Sequence, residues 1–143
     1  MKAIDTLEPE FKIIVLAILS EVEAVTLRKW GVAQGRRTIA YQDHLYAQGR
    51  TAHGDIVTNA KGGQSAHNFG MAADIVPMKA DGSDFDWNAP DDLFNVLAVI
   101  AQKHGMTAGY YFKSMKGGDP DHIEDPRWKQ AQADWCAGKL TVS

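Results

Sequence analysis

Residues 65–77 read Ser65-Ala66-His67-Asn68-Phe69-Gly70-Met71-Ala72-Ala73-Asp74-Ile75-Val76-Pro77. From Met71 to Met78 the chain is apolar apart from Asp74. Ile75 and Val76 favour a pleated conformation, and Pro77 cannot donate to a ladder, so the segment predicts a strand that ends at Pro77. A carboxylate inside that strand is costly to bury unless a positive or hydrogen-bonding group meets it. His67 lies seven residues earlier, across Gly70, where the backbone can bend enough for the two side chains to converge. A neutral imidazole and a carboxylate are zinc-ligand types. On these two residues alone an ordinary reading stands beside it, with Asp74 capping a turn and His67 placed in a loop.

Outward from this strand the pattern turns helical on both sides. Thr6-Leu7-Glu8-Pro9-Glu10 predicts a helix start with Thr6 as N-cap, Pro9 in the first turn and acids near the positive end. Phe11, Ile14, Val15, Ile18, Leu19 and Val22 follow at helical spacing. A second helix is expected from Thr38 to Gln48, stopping at Gly49, and residues 51–69 read as loop. Lys79 to Ala89 reads as an acidic surface loop. Pro90 then opens a helix with Leu93, Phe94, Leu97, Ile100 and Ala101 as its stripe and Lys103-His104-Gly105 as its stop. Thr107 to Phe112 and His122 to Glu124 are short strand candidates. A last helix from about Pro126 places Trp128 and Trp135 on one face. Helices at both ends around a few short strands predict an α+β fold with a small, mostly antiparallel sheet packed with helices.

Composition bounds the partners. The chain has 143 residues, 45% of them hydrophobic and 23% charged, which suits one globular domain over residues 1–143. Fifteen Lys and Arg against eighteen Asp and Glu give a net charge of −3, so no basic stripe is expected for a nucleic acid and no support for docking on an anionic membrane. The longest apolar run, Ile13 to Leu19, is far short of the ~20 residues that span a bilayer. It follows Glu8 and Glu10 rather than a basic leader, so no secretory signal is expected and the protein should fold in a cytoplasm. Cys136 is the sole cysteine, excludes an internal disulfide, and reads as packed beside Trp135 on the last helix. His44, His53 and His104 read as surface or capping residues. Lys61-Gly62-Gly63-Gln64-Ser65 lacks the phosphate-loop pattern, and Asp81, Asp84 and Asp86 miss the calcium-loop spacing.

A second polar cluster follows at Asp119-Pro120-Asp121-His122-Ile123-Glu124. Pro120 holds Asp119 extended, and His122 and Glu124 alternate around Ile123 as on a strand with one face toward a site. A histidine from here would complete two His and one carboxylate, leaving a fourth zinc position open for water as catalytic sites do. An acidic surface turn with one incidental histidine remains the other reading. Three carboxylates flank His122. Alternation disfavours Asp121 and leaves both Asp119 and Glu124 open as a proton acceptor.

Taken together, Ser65-x-His67-x-x-Gly70-x-Ala72-x-Asp74 and Asp119-x-x-His122 resemble the zinc D-alanyl-D-alanine carboxypeptidase, dipeptidase and L-alanyl-D-glutamate endopeptidase group, most nearly its compact bacteriophage endolysins. The resemblance runs from about Leu7 to Trp128. It takes in Gly35-Arg36-Arg37-Thr38 with Gln42, Leu45-Tyr46-Ala47-Gln48-Gly49-Arg50-Thr51, and Val57-Thr58-Asn59-Ala60. It implies a hedgehog/DD-peptidase-like single zinc peptidase domain, with His67, Asp74 and His122 as zinc ligands. It further implies Asp119 as the general base, Arg37 as the arginine facing the scissile carbonyl, and Ser65 and Gln42 as substrate-binding residues. Such chemistry is coherent. Zinc makes water acidic, a carboxylate beside it moves the proton to the leaving amine, and a guanidinium stabilises the developing oxyanion.

The sequence departs from the group at two places. Tyr110-Tyr111-Phe112-Lys113-Ser114-Met115 stands where relatives often have a tryptophan-rich stretch, and Asp121 stands where proline often precedes the last histidine. Both bear on cleft shape. The implied function is hydrolysis of the L-alanyl-D-glutamate bond in the peptidoglycan stem peptide by a monomeric phage endolysin. It would be made in the host cytoplasm and reach the wall through a holin or a comparable route. The alternatives are a D-alanyl-D-alanine carboxypeptidase and an inactive, zinc-stabilised wall-binding module.

Overall fold

A computed structural model describes residues 1–112 and 118–143, so the expectation for Lys113-Ser114-Met115 lies outside the described residues. In chain order the elements are α1 (Pro9–Thr26), β1 (Trp30–Gln34), α2 (Ile39–Ala47), β2 (Ala72–Pro77), α3 (Asp91–Lys103), β3 (Thr107–Ala108), β4 (His122–Glu124) and α4 (Trp128–Cys136). Single 3-10 turns cover Ala3–Thr6, Ala66–Phe69 and Gly109–Tyr111. The strands form one antiparallel sheet in the order β1-β2-β4-β3, the α+β architecture that the sequence predicts.

Alternation along β2 divides the sheet into two faces. Ala73 and Ile75, with Ile123 of β4, join Phe11, Val15, Ile18 and Val22 of α1 and Phe94, Leu97 and Ala101 of α3 in the main core. Full burial of each large apolar side chain there stabilises the fold by about 1.5–3 kcal/mol. Ala72 faces the other way, into a smaller cluster with Ala66, Phe69, Met71 and Trp128. Asp74 shares that second face.

Local chemistry moves several boundaries from where the sequence put them. Glu8, not Thr6, caps α1: its carboxylate accepts from the Glu10 and Phe11 N–H groups at 3.1 and 2.9 Å. Thr6 is engaged one turn earlier, where its hydroxyl donates to the Ala3 carbonyl and accepts the Arg36 N–H. Thr38 does cap α2, accepting the Tyr41 N–H at 3.0 Å. Of Thr107 to Phe112, only Thr107 and Ala108 pair as strand, because the chain turns at Gly109. Strand β1 was not foreseen: Trp-Gly-Val-Ala-Gln has no clear alternation, and pairing with β2 is what makes it extended. Cys136 is exposed rather than packed, since α4 turns Trp128, Ala131 and Trp135 to the small cluster and Cys136 away from it. Among the described residues no helix is long and apolar enough to cross a membrane.

Candidate active site

Cross-strand pairing builds the centre. Asp74 on β2 lies opposite His122 on β4, and opposite Gln34 on β1. The second pairing depends on an irregularity between Val32 and Gln34, which shifts the register by one residue and brings the Gln34 side chain to the site. His67 arrives from the 3-10 turn just before β2. Ser65 caps this turn by accepting the His67 N–H at 3.2 Å, and Gly70 ends it at φ +68°. A Cβ at Gly70 would stand 2.5 Å from the Arg36 guanidinium, so both backbone and space demand glycine.

The three side chains then meet. His67 Nε2 lies 3.3 Å from Asp74 Oδ1, and His122 Nδ1 lies 3.6 Å from the same oxygen. One ligand atom from each residue falls within 4.8 Å of the others. Atoms bound tetrahedrally to zinc at about 2.0–2.2 Å stand roughly 3.3–3.6 Å apart, so the donor set fits that ion. Hydrogen bonding fixes which nitrogens face inward. His67 Nδ1 is 2.7 Å from the Gly35 carbonyl, which can only accept, so Nδ1 carries the proton and Nε2 offers its lone pair. That Nε2 is buried and has no hydrogen-bond partner among the described residues, which a cation would remedy. His122 Nε2 donates to Glu124 Oε1 at 2.7 Å, and Glu124 Oε2 accepts from Trp128 Nε1 at 2.7 Å.

The charges are mutually dependent. Burial opposes ionisation of Asp74, yet the adjoining His122 and His67 rings hold it well below the usual carboxylate range. Burial likewise opposes a proton on His122, but Asp74, Glu124 and the charge of Asp119 push it up to about 9. A metal ion at Nδ1 would take the place of that proton.

Around the cluster opens a cleft of about 540 Å³ whose lining includes Arg37, Ser65, His67, Asp119, His122 and Trp128. Asp119 Oδ2 is 3.9 Å from His122 Nδ1, and its side chain is 36% exposed, so it reaches both the cluster and water. Its position depends on Gly109, whose carbonyl accepts the Asp119 N–H at 2.8 Å and where a Cβ would meet the Asp119 carbonyl at 2.3 Å. Asp121, which alternation placed on the far face, precedes β4 and sits in a turn, so alternation does not govern it. Burial first, then a hydrogen bond with Asp119 and the charge of Asp74, push it up to about 7.

Arg37 reaches the cleft with NH2 3.9 Å from Asp74 Oδ2, donating from NH2 to Gln34 and from NH1 to Gln42 Oε1 at 3.3 Å. Gln42 is fully buried behind it, and its Nε2 donates to the Ala60 carbonyl at 2.9 Å. With both ends of its amide engaged, Gln42 positions the guanidinium and does not line the cleft, a correction to its expected substrate contact. Ser65 does line the cleft, although its hydroxyl is occupied by the turn it caps. Two organising residues were missed. Gln34 lies in the unforeseen strand. Asn68 is fully buried, accepts from Gly63 and Ser65 N–H groups, and donates to the Arg37 and Thr38 carbonyls at 3.1 and 3.3 Å. Its place beside His67 in a polar loop was the only available signal.

Residues 11–123 match the family model of VanY, D-alanyl-D-alanine carboxypeptidase. The chain belongs to this family. It is also 40% identical over 100 residues to CwlK, a peptidoglycan L-alanyl-D-glutamate endopeptidase of Bacillus subtilis. That match covers 65% of this chain and 58% of the relative's length. The same fold occurs in ChiX, an L-Ala D-Glu endopeptidase of Serratia marcescens, at TM-score 0.59 and 19% identity over 90% of this chain and 86% of that one. A vancomycin-resistance D,D-pentapeptidase VanY in complex with Zn(II) aligns at TM-score 0.58 and 15% identity, over 92% of this chain and 79% of that one. The VanY-type fold thus carries Asp74 and His122 on its central strand pair and His67 on the turn that leads into it.

Proposed function

We propose that this chain is a zinc peptidase that hydrolyses the L-alanyl-D-glutamate bond of bacterial peptidoglycan stem peptides. One observation carries the proposal: two histidines, each with its outer nitrogen already committed, turn the other nitrogen toward one largely buried carboxylate, in a cleft that also holds Asp119 and Arg37. His67, Asp74 and His122 would hold the zinc ion. Zinc would supply the Lewis acidity that makes water a nucleophile near neutral pH. Asp119, about a third exposed, takes the proton from the attacking water and gives it to the leaving amine. Arg37 offers positive charge to the carbonyl oxygen as it becomes anionic. Ser65 keeps the His67 turn in place at the cleft wall. The choice of bond rests on the Bacillus relative, a peptidoglycan L-alanyl-D-glutamate endopeptidase.

The likeness of the ordered motifs to compact phage enzymes supports a role as a monomeric bacteriophage endolysin, made in the host cytoplasm and released to the wall through a holin or a similar route. A D-alanyl-D-alanine carboxypeptidase is the second reading, favoured by the match of residues 11–123 to the family of VanY, D-alanyl-D-alanine carboxypeptidase. Digestion of purified peptidoglycan followed by mass spectrometry separates the two. New peptides that begin with D-glutamate are expected, and loss of terminal D-alanine alone would establish the second reading. Intact murein after exposure to the zinc-loaded protein would instead favour a silent binding module.

A further inference from the structure

We infer that Trp128 is a positioning residue for the metal centre, acting through Glu124 to hold His122 in the tautomer that ligates through Nδ1. The inference rests on the zinc reading above. Its basis is a chain of groups with only one consistent polarity. An indole N–H can only donate, so the Glu124 oxygen it meets must accept. The other Glu124 oxygen, 2.7 Å from His122 Nε2, is also an acceptor, which obliges Nε2 to carry the proton. Nδ1, which faces Asp74 and His67, is then the nitrogen left to ligate once a metal displaces its proton. Without the indole contact, the carboxylate can rotate and the imidazole loses its fixed partner.

The anchor is itself well placed. Trp128 is 7% exposed and stacks on Phe69 at 6.2 Å and 26°, and Phe69 belongs to the same 3-10 turn as His67. One aromatic pair therefore ties the orientation of His122 to the turn that delivers the other histidine. Trp135 packs on the same Phe69 at 6.0 Å, edge-on, without a contact to Glu124, and so serves as a packing control.

The test is zinc affinity by chelator competition, in the absence of murein. Trp128→Phe keeps the ring and removes the donor, and it should weaken zinc binding about tenfold; Glu124→Gln should cost about 10–100-fold. In Glu124→Gln the amide must set one N–H against another donor, so adding Trp128→Phe should cause no further loss. Trp135→Phe should bind zinc like the parent. Nitrogen-15 shifts should show Nε2 protonated and Nδ1 metal-bound in the parent, with the second tautomer appearing in Trp128→Phe. Unchanged affinity in Trp128→Phe, additive losses in the double variant, or an equal loss in Trp135→Phe would each overturn the inference. A parent that binds zinc in this manner yet leaves murein intact would overturn the peptidase reading and leave this inference standing.

Discussion

Two regions of the molecule join a histidine to a carboxylate, and they do opposite things with it. Where α1 meets α3, His104 Nε2 lies 2.9 Å from Glu21, which also pairs with Lys103. Lys103 first, then His104, lower the Glu21 carboxyl below its usual range. Lys103 is two-thirds exposed, the charges balance locally, and the imidazole spends a nitrogen directly on the acid. On the cleft face of the sheet, the outward nitrogens of His67 and His122 are engaged by Gly35 and Glu124, while their inward nitrogens share Asp74. Residue types are nearly the same in both places. The difference lies in burial and in which nitrogen is already committed, and that difference separates a metal site from a solvated ion pair.

The largest effect should come from breaking the cleft cluster. Alanine at His67, Asp74 or His122 should abolish zinc retention and hydrolysis, with a drop in melting temperature because metal binding and folding are linked. Elemental analysis together with a murein turbidity assay checks this, and stoichiometric zinc in all three variants would refute the ligand set. Next in size is Asp119→Asn, which should keep its zinc and fold yet lose about 10²–10⁴ in turnover, because an amide cannot shuttle a proton. Asp121→Asn should retain most activity. Arg37→Ala should cost about 10²–10³ in kcat, the usual loss for one oxyanion donor, with zinc content unchanged. If Arg37→Ala turns over normally, the guanidinium has no part in the transition state.

A smaller, graded effect should appear with pH. Folding raises His122 from 6.5 to about 9 and Asp121 from 3.8 to about 7. Over those intervals the folded chain binds more protons than the unfolded one, so chelated protein should lose stability as pH rises through them. Zinc competes with the His122 proton, so its affinity should climb over the same range up to about pH 9. The gap in melting temperature between zinc-loaded and chelated protein should therefore widen from pH 6.5 to 9, and a constant gap would contradict the assignment of Nδ1 as ligand. The smallest effect belongs to the other cluster: Glu21→Gln should leave zinc content and turnover unchanged.

The same contrast explains what could be read in advance. Helices α1 and α3 follow from apolar periodicity, and strand β2 from an apolar run with β-branched residues ended by a proline, all local properties of the chain. Asp74 stood out because it violates the apolar pattern around it, His67 only by its spacing from Asp74 across Gly70, and the family likeness joined them to His122. Strand β1 stayed hidden because its five residues gain their extended form from pairing with β2, and with it Gln34 went unseen. Gln42 looked like a substrate contact because spacing cannot show that a side chain is sealed behind the arginine it holds. Strand alternation does not bear on Asp121 for a related reason, since it lies one residue before the strand begins.

Anomalous scattering at the zinc edge from crystals of the zinc-loaded protein tests the account most directly. One peak is expected within about 2.0–2.2 Å of His67 Nε2, Asp74 Oδ1 and His122 Nδ1 together, and none at His104 and Glu21. Zinc bound through His122 Nε2, or a peak at His104 and Glu21 with the cleft cluster unbound, would contradict it.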